Sequence, residues 1–255
     1  MIYALFGEHE FKEHVGYVLN ERGHICDEEN PEFVFSIGGD GTILKAIKKY
    51  IKDVEGIKFV GINLGRLGFY TSYEKKEFEE ALEQIENNKY QLAHYNLLEY
   101  LLKSHNLYKS GFGLNEITII NPIHTQIIDV YINDKHFETF RGTGFLAATP
   151  TGSTAYNKSL GGSVIDPNIC ALQLTEIASI NNRVYKTLGS PLVLSQETIV
   201  KLKSNFANAY VTVDGMYEHF TNLDEIIIRL SSRKANFVIK EETDFWDCVK
   251  KSFLE

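Results

Sequence analysis

The apolar run Phe33-Val34-Phe35-Ser36-Ile37 passes straight into Gly38-Gly39-Asp40-Gly41-Thr42 and then into a helical pattern. That junction restricts the first part of the chain to few folds. A strand, a glycine turn and a helix start form the layout that aims backbone N–H groups at a phosphate. Glycines here let the backbone turn sharply and approach a ligand closely, because no Cβ intervenes. A lone acid beside phosphates repels them unless it holds a metal or takes a proton, so Asp40 reads as a working residue. A tight strand-to-helix turn with a capping Asp is the alternative.

The pattern around this turn alternates. Ile2 to Phe6 is strand-like and Glu10 to Glu21 helix-compatible, while Ile43, Leu44, Ile47 and Ile51 recur at helical spacing behind Thr42, which stands where a capping hydroxyl is expected. Lys58 to Asn63 predicts another strand, Leu64 to Gly68 a glycine-punctuated loop, and Phe78, Ala81, Leu82 and Ile85 another helix. Alternation of this kind predicts a mostly parallel, Rossmann-like α/β domain over residues 1–95.

Beyond about residue 90 the period changes. Tyr90 to Lys103 reads as a long extended segment, and Ile128, Val130 and Ile132 alternate up to the turn pair Asn133-Asp134, with Phe137 to Phe140 returning. Further runs at 192–194, 199–202, 210–213, 226–230 and 236–240 predict a β-rich domain over 96–240. The tail 241–255, with Phe245, Val249 and Phe253 at helical spacing, is a short amphipathic segment that must dock.

Charge and cysteines exclude several classes. The formal net charge is −8, and no basic run exceeds a pair such as Lys48-Lys49, which argues against nucleic acid or an anionic membrane as the main partner. Cys26, Cys170 and Cys248 are far apart without CxxC spacing and read as reduced core thiols. The first residues meet acid too early for a signal peptide, and the uncharged stretch 142–157 is too polar to span a bilayer. A soluble, cytoplasmic protein is expected.

A second stretch, Thr149-Pro150-Thr151-Gly152-Ser153-Thr154-Ala155-Tyr156, followed by Asn157-Lys158-Ser159 and Gly161-Gly162, is dense in donors and offers one flat ring. It is either a ligand loop or a Ser/Thr-rich turn entering a helix. Asn115-Glu116, before Ile117 to Ile120, could hold vicinal ribose hydroxyls or simply form a polar turn. Asp214-Gly215 is a strand-ending turn or an acid poised at a site. Gly142-x-Gly144-x-x-Ala147 matches a dinucleotide fingerprint only on paper, with no βαβ unit around it. No GxxxxGK[ST], HExxH or GxSxG occurs, and the eight histidines are scattered.

Together these motifs resemble the NAD kinase family. The resemblance runs through Gly38 to Thr42, Gly61 to Tyr70 (GINLGRLGFY), Leu114-Asn115-Glu116, Thr149 to Tyr156, Gln173 to Arg183 and Gly189-Ser190-Pro191-Leu192, in order along nearly the whole chain. It implies transfer of the γ-phosphoryl group of ATP to the 2′-hydroxyl of the adenosine ribose of NAD. It also implies an α/β domain and a β-rich domain with the cleft between them, the tail returning to the first, and a homotetramer or homodimer. By the same resemblance Asp40 is the catalytic acid that takes the hydroxyl proton. Gly38, Gly39, Gly41 and Thr42 face ATP phosphates carrying Mg²⁺, the one divalent metal implied. Asn115, Glu116, Ser153, Thr154, Ala155, Tyr156, Asn157, Lys158 and Ser159 hold the dinucleotide, and Phe69 and Tyr70 line the same cleft. Arg141 neutralises the new phosphate, Ala178 and Ile180 contact dinucleotide across a subunit interface, and Asp214 borders the pocket.

One departure stands out. The family usually carries Asp in the Gly-Asp-Gly before its TPTGSTAY stretch, whereas this chain has Gly142-Thr143-Gly144. Thr143 keeps hydrogen-bonding capacity but no charge, so retained activity with altered dinucleotide affinity is expected. Ala148, where Ser is common, is a milder difference. Two rival readings share some of these residues: a lipid kinase of the diacylglycerol-kinase type, with a similar GGDGT turn, and a catalytically weak dinucleotide sensor.

Overall fold

The computed structural model describes residues 1–7, 9–65, 68–105, 107–240 and 244–255. Arg66 and Leu67 of the GINLGRLGFY stretch, and residues 241–243 at the start of the tail, lie outside the described residues. The chain divides into two compact units, 1–95 with 233–255, and 96–232. The sequence pattern places the return to the first unit at 241. The strand that carries the chain back is already inside that unit from Arg233.

In the first unit the apolar runs become β1 (Ile2–Phe6), β2 (Ile25–Cys26), β3 (Phe33–Ile37), β4 (Lys58–Asn63) and β5 (Tyr73–Glu74). The helices α1 (Phe11–Glu21), α2 (Asp40–Lys49) and α3 (Phe78–Glu86) lie between them in sequence. β2, β1, β3 and β4 pair in parallel in that order, and β5 pairs with β4. Every residue of β3 is buried, as a parallel strand covered on both faces requires. α1 buries Phe11, Val15 and Leu19, and α3 buries Phe78, Ala81, Leu82 and Ile85, all in one core with Tyr3, Phe35, Val60 and Ile62. Each fully buried Val, Leu, Ile or Phe among them contributes about 1.5–3 kcal/mol on leaving water. Thr42 does not cap α2. The helix already begins at Asp40, with Gly39 extended in the cap position, and Thr42 sits in the first turn, where its side chain packs beneath Gly38. Gly38 has φ +147°, and a Cβ there would collide with the Thr42 hydroxyl, so glycine is required on both counts.

The second unit holds mainly antiparallel strands: β6 (Gln91–Lys103), β7 (Tyr108–Gly113), β8 (Glu116–Ile120), β9 (Gln126–Ile132), β10 (Lys135–Gly142) and β11 (Gly144–Ala148). After a 3-10 turn at Thr151–Thr154 and the single turn α4 (Tyr156–Ser159) come β12 (Ala171–Ile177), β13 (Leu192–Ser195), β14 (Val200–Lys203), β15 (Tyr210–Val213) and β16 (Met216–Tyr217). β17 (Glu225–Ile239) follows, and α5 (Phe245–Phe253) ends the chain in the first unit. β13-β12-β11-β8-β15-β16 form one sheet, while β10-β9-β14 continue onto the first residues of β17. Ile117, Ile119 and Phe145 of the former share a core with Ile128, Val130, Val200 and Ile228 of the latter. The last residues of β17, Asn236 to Val238, pair in parallel with Lys58 to Val60 of β4.

Candidate active site

In the first unit the site is built around one carboxylate. Asp40, the first residue of α2, accepts the Phe69 N–H on Oδ2 at 2.9 Å and the Tyr70 N–H on Oδ1 at 3.1 Å. The sharp turn that delivers those amides is itself braced. Thr71 Oγ1 accepts the Gly68 N–H at 2.9 Å and the Asn63 side-chain amide at 3.0 Å. Gly68 lies flat on the Asp40 carboxylate, and a Cβ there would collide with it. Burial raises the Asp40 carboxyl above its ordinary value, and the two backbone N–H groups only partly offset this. The result is a half-buried acid, held in place through both oxygens, with stronger affinity for a proton than an ordinary aspartate.

Among the described residues a Cβ at Gly39 or Gly41 would meet nothing within 4 Å, so none of them demands glycine at either position. A cavity of about 370 Å³ adjoins Thr42 and is lined by Lys12, Lys45 and Lys49 together with Phe6, Gly7 and Glu28. Lys49 pairs with Glu28 at 3.0 Å. On its other flank Phe69 meets two rings of α5, Phe245 at 5.8 Å and Phe253 at 6.0 Å, while the buried Cys248 thiol donates to the Gly68 carbonyl at 3.8 Å.

The second unit organises a separate polar group around Asp214, in the turn between β15 and β16. Its backbone is left-handed, with φ +51°. Its carboxylate accepts the N–H groups of Leu114 (2.8 Å), Asn115 (2.7 Å) and Glu116 (3.2 Å). Asp214 is thus a strand-ending turn residue whose carboxylate also braces the backbone of residues 114–116. The Thr149 loop is clamped onto the same segment. The Thr149 N–H donates to the Asn115 carbonyl at 2.9 Å and its hydroxyl to the Leu114 carbonyl at 2.6 Å. A Cβ at Gly152 would strike that Asn115 carbonyl.

The donors of the Thr149 loop divide. Ser153 Oγ accepts the Ile165 N–H at 2.9 Å, Thr154 Oγ1 donates to Thr151 at 3.1 Å, and Asn157 Oδ1 accepts from Thr175 at 2.8 Å, all three being buried. These side chains shape the loop from within. Tyr156, Lys158 and Ser159 are exposed and Ala155 half-buried.

Arg141, Thr143, Ala178 and Ile180 form a different neighbourhood. The Ile180 N–H donates to the Arg141 carbonyl at 2.7 Å, and the Thr143 N–H to the Ile177 carbonyl at 3.0 Å. The Arg141 guanidinium lies 4.2 Å over the Tyr185 ring, and Ala178 has φ +48°. Thr143 precedes Gly144 and Thr149 follows Ala148, so the two neighbourhoods of this unit lie at opposite ends of β11, about 20 Å apart at ~3.3 Å per residue. Sequence reasoning missed Gly68, Lys12 and Lys45. The i, i+4 spacing of Lys45 and Lys49 on α2 was the available signal for the lysines. Nothing local marks Gly68.

Known proteins share the sequence and the fold of this chain. A model of the ATP-NAD kinase N-terminal domain matches residues 5–90, and one of the ATP-NAD kinase C-terminal domain matches residues 114–240. The NAD kinase of Leuconostoc mesenteroides is 41% identical over 232 residues, 89% of this chain and 87% of that protein. That of Staphylococcus aureus is 42% identical over 234 residues, covering 90% and 87%. Among solved structures, an NAD kinase from Archaeoglobus fulgidus in complex with ATP superposes with a TM-score of 0.79 at 25% identity, over 98% of this chain and 97% of that one. The yeast NADH kinase complexed with NADH gives 0.84 at 20% identity, over 100% and 87%, a likeness of fold. The two matched domains, and relatives about 40% identical over most of the length, establish that the chain belongs to the ATP-NAD kinase family.

Proposed function

We propose that Asp40 takes the proton of the 2′-hydroxyl of the adenosine ribose of NAD as that oxygen attacks the γ-phosphorus of ATP. As a member of its family the chain is a kinase that phosphorylates NAD at the expense of ATP. The observation that carries the role of Asp40 is its two-point suspension from the Phe69 and Tyr70 amides beside two glycines with open space at their Cβ positions. A ribose hydroxyl does not ionise at neutral pH, so a fixed carboxylate of raised proton affinity supplies what the step needs. The O–H bond breaks toward Asp40, the new O–P bond forms as the bond from the γ-phosphorus to the bridging oxygen breaks, and ADP departs with that electron pair.

Gly38, Gly39, Gly41 and Thr42 cradle the donor phosphates, with Lys12 and Lys45 of the adjoining cavity neutralising them. A divalent ion would arrive on the triphosphate. ATP is accordingly written as its Mg²⁺ complex, whose metal neutralises charge on the transferred group. In the second unit Asn115, Glu116, Ala155, Tyr156, Lys158 and Ser159 contact the dinucleotide. Ser153, Thr154, Asn157 and Asp214 hold those groups in position. The second neighbourhood, Arg141, Thr143, Ala178 and Ile180, serves a dinucleotide bound to an adjacent copy in a homodimer or homotetramer, since the length of β11 separates it from the first. Phe69 and Tyr70 serve chiefly through their backbone amides.

The test is direct. Protein incubated with ATP, Mg²⁺ and NAD forms NADP, whereas Asp40→Asn binds NAD and loses turnover by roughly 10²–10⁴-fold. Full turnover in that variant would overturn the role of Asp40. Phosphorylation of diacylglycerol instead of NAD would overturn the acceptor.

A further inference from the structure

Glu116 is 7% exposed, and among the described residues its Oε2 has no hydrogen-bond partner. Across the register of β11 stands Ala148, and in the loop that follows the hydroxyls of Thr149 and Thr151 bond each other. From the β15–β16 turn comes Asp214. Behind Asp214 stand Tyr100 and Glu218, the latter ion-paired with Lys109. Asp214 is the anion of this group, because three backbone N–H groups converge on it. Among the described residues no such donor reaches Oε2 of Glu116. A buried carboxyl facing a fixed anion keeps its proton. Burial first, and the charge of Asp214 second, push Glu116 up to about 8.

Resting on the reading that this unit holds the dinucleotide, we propose that Glu116 meets NAD as a neutral acid. It donates its O–H to an uncharged acceptor of the ligand, a hydroxyl oxygen or ring nitrogen, instead of accepting from ribose hydroxyls as a carboxylate. Asp214 is the positioning residue of this pair. It fixes the backbone of Asn115 and Glu116 and, by its charge, keeps the proton on its neighbour. The dinucleotide site is thereby selective for an acceptor at that point. It weakens in alkali, where Glu116 ionises and the donor disappears.

Equilibrium dialysis of NAD against the full-length protein, without ATP, from pH 6.5 to 9.5 tests this. The wild-type dissociation constant stays level to about pH 8 and then rises about tenfold per pH unit, the slope of one lost proton. Glu116→Gln, whose amide donates at every pH, binds with an affinity that does not change across the range. Calorimetry of the wild type at pH 8.5 in two buffers of different ionisation heat reports proton uptake on binding, without recourse to any variant. A pH-independent wild-type affinity, no proton uptake, or a folded Glu116→Gln that fails to bind at any pH would each overturn the neutral-acid assignment while leaving the kinase reading intact. Absence of NAD binding by the wild type at every pH would instead defeat the kinase reading, and this inference with it.

Discussion

At the scale of single residues the tightest constraint is the contact between Gly68 and Asp40. A methyl group at position 68 must displace the carboxylate that the Phe69 and Tyr70 amides hold. Gly68→Ala is therefore expected to lower kcat by about 10–100-fold, the order of loss that follows a misplacement near 1 Å. The NAD dissociation constant should move less than threefold, since the dinucleotide contacts proposed above belong to the second unit. Steady-state kinetics beside equilibrium binding would check it, and an unchanged kcat would refute it. The raised proton affinity of Asp40 places the acid limb of the kcat–pH profile above the ordinary aspartate range. The sequence drew notice to Asp40 because a charge amid glycines is unusual, whether it works on a ligand or starts a helix. Its partner was not legible, because the contact joins residues 28 positions apart and depends on the absence of a side chain. The inward turn of Ser153, Thr154 and Asn157 was equally hidden, since a hydroxyl that builds a loop and one that binds a ligand share the same letter.

At the scale of elements, α5 supports the turn that supports Asp40. Phe245 and Phe253 meet the Phe69 ring, whose own backbone amide bonds the carboxylate. Removing both rings in Phe245→Ala/Phe253→Ala should cost about 1–3 kcal/mol, lowering the melting temperature by several degrees. Turnover should fall more steeply than stability at assay temperature, because the loosened turn no longer fixes the acid. A melting curve together with kcat on the same preparation decides it, and a loss of stability with kcat intact would mean the helix is mere cover. The tail was predicted from the spacing of Phe245 and Phe253, and the helix forms there. The central strands were less legible. β11 and β12 are buried almost throughout, so they lack the alternation that marks a half-exposed strand, and β11 resembles a loop because its flanks are glycine and threonine. The runs 226–230 and 236–240 predicted two strands. They are the ends of one fifteen-residue strand, whose polar middle, Ser231 to Lys234, breaks the apolar pattern without breaking the backbone.

At the scale of the whole molecule, acids outnumber bases by eight charges, and their environments set how stability responds to pH. Glu77, held down by the backbone N–H of Glu74, contributes stability above the unfolded value that is lost as pH falls through its folded value. Glu116 acts in the opposite sense. Raised from 4.5 to about 8, it contributes stability present in full below 4.5 and gone once pH has risen through about 8. Glu138, raised by burial and by the facing Glu176, adds in the same direction. Wild-type protein should therefore melt at a lower temperature at pH 9 than at pH 6.5. Glu116→Gln should recover part of the difference, worth on the order of a few kcal/mol at about 1.4 kcal/mol per pH unit. Equal melting temperatures for the two proteins at pH 9 would contradict it. The left-handed Asp214 shows why such repairs have a limit. Glycine would relax that bend, yet it would also unhook three amides at once. A library selected only for survival of heating would thus be free to discard the very group from which the backbone of Leu114, Asn115 and Glu116 is hung.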